Sequence, residues 1–312
     1  MKTRLLIVLV ALLIVTPLSA AITFGNSTVA AGSSWTETSR YGSSVDLVVD
    51  NGMGVDNPHN ATLPATQSHQ EISIQRTKKI TVTSMQGQRI GGFQVEYTSV
   101  LVNGTDISST FAGNKYVIDI NGNHVGGVTY ADGSTPPASE LAFVQTDNSN
   151  IGQVREMANT FGGETVAVGG SLSAKNLDDL FDVQSGFNVD SYSMKLSSVS
   201  GDADSQVATF DVTLQISGEV KKGKGSDPNA SAPFSTSSLH LSLSGPLHAD
   251  VGTGRVLDFS LSGDATAGGQ KEAKGKDKHG NDVVGKKGPN GAPRSQSISA
   301  TGTATLGATF SY

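Results

Sequence analysis

Residues Thr165–Leu172 read TVAVGGSL, and residues Thr28–Trp35 read TVAAGSSW. Five of the eight positions are identical, with Gly32 and Ser34 in register with Gly169 and Ser171. Self-similarity of this kind marks a repeated structural unit, so each stretch is read as the opening strand of a unit that occurs twice. The pattern continues downstream. Ile80, Val82, Met85 and Gly87 match Met194, Leu196, Val199 and Gly201 without a gap, and Gly87 to Gly104 has the same spacing as Gly201 to Gly218. Asp119 to Gly122 is answered by Asp250 to Gly254, each followed by alternating apolar residues. The surplus residues of each unit fall in polar, patternless segments, 50–69 in the first and Lys221–Ser237 in the second, where insertions are tolerated.

Most of the chain alternates with period two. Ile72 and Ile74, Ile80 and Val82, then Phe93, Val95 and Tyr97, then Tyr116, Ile118 and Ile120 each share a face. Leu306, Ala308, Phe310 and Tyr312 close the chain in the same way. Such alternation specifies half-buried strands. The expected fold is mainly β: two tandem related antiparallel sheet units, half-barrel or sandwich-like, with one connecting amphipathic helix. That helix is placed at Asn150–Phe161, where Val154, Met157, Ala158 and Phe161 form an i, i+3, i+4, i+7 stripe and Gly162-Gly163 follows. The expected organisation is a signal peptide at 1–21, a first β unit at 22–147 and a second at 148–312. The second unit carries the helix and a mobile basic loop at 268–294.

Composition narrows the function. The 312 residues include 37 Gly, only 6 % aromatics and no Cys, with a net charge of -6. Abundant Gly with few aromatics fits short turns between strands. Lack of Cys removes disulfides, thiolate metal sites, a Cys nucleophile and a lipidated N-terminal Cys. An acidic chain is a poor nucleic-acid binder. At the N-terminus, Lys2 and Arg4 precede the apolar run Leu5–Val15, Pro17 breaks it, and Ser19 and Ala21 supply small residues. This is the form of a secretory signal peptide. Its 11 apolar residues fall short of the ~20 needed to span a bilayer. The expectation is an exported bacterial protein, periplasmic or extracellular, that is not transmembrane after cleavage.

The sequence holds no nucleophile elbow, phosphate-binding loop or HExxH motif. The six His, at 59, 69, 124, 240, 248 and 279, form no close pair. Asp119-Ile-Asn-Gly-Asn lacks the Gly and Glu positions of a calcium loop and reads as a hairpin turn. No catalytic residue, metal ligand or cofactor is assigned, and the chain is read as non-enzymatic. Two sets of residues are candidates for binding. Trp35, the single Trp, with Met157 and Phe161 is the candidate apolar-ligand set, against the plainer role of core packing. Lys221, Lys222 and Lys224, with Lys274, Lys276, Lys278, Lys286 and Lys287, are the candidate contacts for an anionic envelope surface, against a solvated loop.

The strand Val29–Trp35, its counterpart Val166–Leu172 and the hairpins at Asp119–Gly122 and Asp250–Gly254 resemble secreted bacterial all-β proteins with two related units. More distantly, the pattern is similar to the half-barrel of periplasmic lipoprotein carriers. The resemblance implies an antiparallel sheet curled over a helix and a role with a hydrophobic ligand or in the envelope. It brings no catalytic residues. The resulting expectation is an exported envelope protein that binds an apolar or amphiphilic ligand, such as a lipid, or a partner, on curved sheets. The alternative is a surface or matrix adhesion module that uses its Gly/Lys-rich loops.

Overall fold

The alternating runs become long antiparallel strands. The computed structural model describes residues 21–50, 66–87, 89–121, 124–148, 161–172, 187–221, 236–272, 274–276, 282–284 and 295–312. In chain order the elements are β1 (Ile22–Thr23), β2 (Ser34–Asp50), β3 (Thr66–Gln86), β4 (Arg89–Val102), β5 (Thr105–Asp106), β6 (Tyr116–Asn121) and β7 (His124–Tyr130). A single turn of 3-10 helix (Ser108–Thr110) separates β5 from β6, and α1 (Ala138–Asp147) follows β7. Then come β8 (Thr165–Val166), β9 (Ser171–Leu172), β10 (Phe187–Ser200), β11 (Val207–Lys221), β12 (Thr236–Asp250), β13 (Val256–Glu272), β14 (Lys274–Lys276), β15 (Asp282–Val284) and β16 (Ser295–Ser311).

One sheet of 12 strands takes most of these in the order β7-β6-β4-β3-β2-β16-β13-β12-β11-β10-β9, with β5 beside β4. Every neighbouring pair in it is antiparallel. The fold is therefore mainly β. The two stretches read as tandem units share this single sheet, because β2 from the start of the chain pairs with β16 from its end, from Thr36↔Ser311 to Asp50↔Ser297. The register has no shift along that length, so each side chain keeps its face. One face is Ser/Thr-rich and exposed, as at Thr301, Thr303, Thr305 and Thr309, while Ala300, Ala304, Ala308 and Phe310 on the other face are buried.

The start of the chain is also tied to the second half. The Phe24 N–H donates to Glu164 O (2.9 Å) and the Gly25 N–H to Val251 O (2.8 Å). The Phe24 ring lies 5.1 Å from Phe161 and 6.0 Å from Phe210.

The two self-similar stretches, read as opening strands, are turns at their centres: β2 begins only at Ser34, and the second stretch is strand only at Thr165–Val166 and Ser171–Leu172. The two turns nevertheless make the same local structure. Gly32 and Gly169 turn the backbone with φ of 89° and 86°, which a side chain would resist. The Gly32 N–H donates to Val82 O (2.8 Å) and the Val82 N–H to Ser33 O (2.9 Å); the Gly169 N–H donates to Leu196 O (2.7 Å) and the Leu196 N–H to Gly170 O (2.9 Å). Trp35 then faces Ile80 as Leu172 faces Met194.

Several sequence expectations change. The segment read as loop to residue 69 is already strand from Thr66. A helix occupies Ala138–Asp147, where none was expected. Its ten residues carry too short an apolar stripe to stand out, and Pro137 at the N-cap with Glu140 in the first turn are its local signals. Of the expected helix, 150–160 lie outside the described residues and Phe161 sits in a turn. Within the basic stretch 268–294, β13 runs on to Glu272, and β14 pairs with β15.

The β2–β16 seam is close enough to exclude a side chain at Gly302, where a Cβ would lie 2.0 Å from Ser44 O. Gly302→Val is expected to lower the urea midpoint by the equivalent of roughly 1–3 kcal/mol, the usual penalty of overpacking. Gly127→Ala, with nothing within 4 Å, is expected to leave it unchanged.

Candidate functional site

The core-facing side of the sheet changes character along the strands. Its first cross-strand row, Trp35–Ile80–Val95–Tyr116, is fully packed. The next, Glu37–Lys78–Tyr97, is ionic, and the third, Ser39–Arg76–Val100, is mixed. Beyond it lie Leu306–Tyr41–Ile74–Val102, then Ala304–Ser43–Ile72. In these rows Tyr41 and Ile72 are each 43 % exposed, although they share the face that buries Trp35, Ile80 and, in the row of Ile72 itself, Ala304.

α1 covers the first rows. Val144 is fully buried, and Phe143 packs on Phe111 (4.7 Å between centroids) and edge-on to Tyr97 (5.6 Å). Both ends of the helix are pinned by polar contacts. At its start, Glu140 Oε2 accepts from Tyr116 OH (2.7 Å), Tyr130 OH (2.7 Å) and Asn114 Nδ2 (3.4 Å). Burial and this carboxylate push the Tyr116 hydroxyl well above its ordinary pKa, and the hydrogen bond to Glu140 raises that of Tyr130.

At its end, Asp147 and Asn148 close over the ionic row. Lys78 is only 1 % exposed, and all three of its donor directions are used. Nζ donates to Asp147 Oδ2 (2.9 Å), Asn148 Oδ1 (3.0 Å) and Asp147 O (3.3 Å), and it lies 3.8 Å from Glu37 Oε1. Tyr97 OH donates to Asp147 Oδ2 (2.6 Å) and accepts from Asn148 Nδ2 (2.8 Å), and Arg76 Nε pairs with Asp147 Oδ1. Two cations thus meet two carboxylates. Burial alone would raise the Asp147 pKa; Lys78 and Arg76, with the hydrogen bonds, outweigh it and hold the carboxyl below its usual value. Burial first, then the Asp147 charge, drive the Tyr97 pKa far upward. The Ser39 hydroxyl, in the row beside Arg76, is buried and has no hydrogen-bond partner among the described residues.

A second polar group lies on the outer face of β2 and β3. His69 Nδ1 is 2.8 Å from Asp46 Oδ1, and Nε2 is 3.3 Å from Ser44 Oγ and 3.4 Å from Glu71 Oε1. Its pKa is raised, chiefly by the hydrogen bond to Asp46 and then that to Glu71. The order Ser–His–Asp resembles a nucleophilic triad. The adjoining backbone N–H groups of β2 are spent in ladders with β3 and β16. The carboxylates flank opposite ring nitrogens, which prevents a shared metal. Among the described residues no group of three His, Asp or Glu is arranged to hold a metal ion.

Of the candidate ligand residues, Trp35 (6 % exposed) and Phe161 (1 %) pack in the core, Phe161 stacked on Phe210 at 5.0 Å. Met157 lies outside the described residues. Of the lysines, Lys221 ends β11, and Lys274 and Lys276 belong to β14. Lys222, Lys224, Lys278, Lys286 and Lys287 lie outside the described residues. Sequence reasoning missed the ionic row. Its signal was the break in the alternation Ile72–Ile74–Ile80–Val82, where Arg76 and Lys78 occupy core-facing positions.

No protein family and no curated protein matches the chain. Among solved structures, the Salmonella SPI-1 type III secretion injectisome secretin InvG aligns with 89 % of this chain and 62 % of its own, at 10 % identity and a TM-score of 0.18. A structure of the basal-body proteins InvG, PrgH and PrgK gives the same identity and TM-score over 44 % of the matched chain, and the InvG secretin-domain β-barrel gives 12 % and 0.13. The chain spans less than two thirds of those chains. At such scores the likeness carries no argument about fold or role. Among the described residues no helix is long and apolar enough to cross a membrane.

Asp147 joins α1 to the sheet, so Asp147→Ala, which strands Lys78 in the interior, is expected to destabilise the fold by about 3–5 kcal/mol. Because the folded Asp147 pKa is depressed, its contribution is present at neutral pH and is lost as pH falls below the ordinary carboxylate value toward the folded one. Thermal melts across acid pH are expected to show this loss in the parent and a shallower slope in Asp147→Asn.

Proposed function

We propose that the protein is an exported, non-enzymatic envelope protein that holds an amphiphile on the uncovered part of its core-facing sheet surface. The observation that carries this reading is the exposure of Tyr41 and Ile72 on the face that elsewhere forms the core. Exposed apolar surface continuous with a core is a recognised mark of a binding site. Leu306, Ile74 and Val102 extend the patch as cross-strand neighbours of Tyr41. At its inner border stands Arg76, whose side chain is 27 % exposed beside its ion pair with Asp147. An apolar surface that ends at a partly exposed arginine side chain suits an apolar tail with an anionic head group. Trp35 is the inward continuation of the same strand face. Export rests on the N-terminal sequence, whose first twenty residues lie outside the described ones. The matching turns at Gly32 and Gly169, with their equivalent hydrogen bonds, support descent of the sheet from two related units.

Binding of a fluorescent long-chain fatty acid to the purified protein tests the reading. The parent is expected to bind it saturably. Tyr41→Asp and Ile72→Asp, both at exposed positions, are expected to weaken binding at least about tenfold, the loss of one buried apolar side chain, with unchanged melting. Absence of saturable binding, or equal binding by both variants, would overturn it.

A further inference from the structure

The sheet has an open edge that the hairpin after β4 creates. Asn103 (φ 50°) and Gly104 (φ 75°) both take the left-handed conformation of a tight hairpin turn. β4 therefore leaves β3 and returns as β5 on its own far side. The last links to β3 are at Ser73, whose O accepts from the Asn103 N–H (2.7 Å) and whose N–H donates to Asn103 Oδ1 (2.8 Å). From there toward the chain start β3 pairs with β2 alone among the described residues, and every residue from Gln67 to Ser73 is exposed.

This edge lacks three of the usual protections. Unpaired strands avoid association through bulges, prolines or lysines. All three register shifts between β3 and β4 lie between Thr77 and Met85, and Gln67–Ser73 contains no Pro or Lys. The backbone groups of Ser73 face the β4 side, so by alternation those of Gln67, Glu71 and His69 face the open edge.

We infer that Gln67–Ser73 is a self-pairing edge: a second copy of this chain adds its own β3 antiparallel to it, about a two-fold axis at Gln70. In that register His69 faces the partner's Glu71, and Glu71 faces the partner's His69. These are the residues whose N–H and C=O groups point outward, so both pairs are hydrogen-bonded pairs of an antiparallel ladder. On the outer face the arrangement extends the Asp46–His69 contact into a row of alternating charge, Asp46–His69–the partner's Glu71, repeated by symmetry. The neighbouring register, with His69 facing the partner's His69, opposes like groups. A symmetric interface of this kind is closed and joins the two sheets edge to edge. The inference is independent of amphiphile binding, since it rests on backbone groups and outer-face charges.

Sedimentation equilibrium of the purified full chain at micromolar concentration tests it. The parent is expected at twice the chain mass. Glu71→Pro places the proline ring at an outward N–H, keeps the ladder to β2 and is expected to give monomer with unchanged circular dichroism. His69→Glu is expected to weaken the dimer at least tenfold, and His69→Glu with Glu71→Lys to restore it. A parent that stays monomeric, a dimer unaffected by Glu71→Pro, or a charge-swapped chain that fails to recover would each overturn the inference.

Discussion

The pairing of β2 with β16 is the contact on which the architecture depends. It brings residues from the two ends of the chain into an uninterrupted antiparallel ladder, Thr36↔Ser311 to Asp50↔Ser297. Without it the sheet would separate into a β7-to-β2 half and a β16-to-β9 half. The strands at the seam are rich in Gly, Ser, Thr and Ala, and Gly302 admits the Ser44 carbonyl where a side chain would block it. The seam therefore contributes mainly backbone hydrogen bonds and little apolar area. The large side chains lie to either side, Trp35, Ile80, Phe93 and Tyr116 in one half and Phe24, Phe161, Phe210 and Leu247 in the other. Such long-range closure is entropically demanding and slow to form, and the docking of Phe24 on the second half reinforces it.

The second constraint is the buried ionic row. A buried ion pair contributes little net stability against a well-packed apolar substitute, but removal of one partner leaves an isolated charge at high cost. Lys78, Arg76, Asp147 and Glu37 therefore specify where α1 must end more than how tightly it binds. They mark the border between the covered and the uncovered sheet face. The apolar alternation resumes beyond them at Ile74 and Ile72, and there no helix among the described residues lies above it. Among the described residues, the ten residues of α1 cover the first rows and stop at Asp147, short of the proposed amphiphile site.

The fold class, most strand positions and the likeness of the two Gly segments to each other were legible because each rests on local chemistry, whereas reading those segments as strands overlooked that Gly32 and Gly169 take positive φ and turn the chain. Register between distant strands was not legible, because Gly302 and Ser44 carry no sequence sign of their contact. The helix expected at 150–161 lies, but for Phe161, outside the described residues; Ala138–Asp147 was not legible because it is held by Glu140 and Asp147 reaching Tyr116, Tyr130, Lys78 and Tyr97 from other elements. Trp35 and Phe161 were chosen as large apolar side chains. Rarity in composition does not separate a core position from an exposed one, and the exposed Tyr41 and Ile72 differ from them only in what lies above the sheet. The Ser44–His69–Asp46 contact was hidden in the same way, since it joins facing positions on two strands.

Native-state hydrogen exchange along β2, β13 and β16 addresses the central claim, that both chain halves form one cooperative sheet closed by its first and last long strands. Amides of 36–42 in β2 and 304–310 in β16 should exchange only through the same global opening as those of 257–263 in β13. Exchange of the β16 amides by an independent, much lower-energy opening, with β13 still protected, would contradict it.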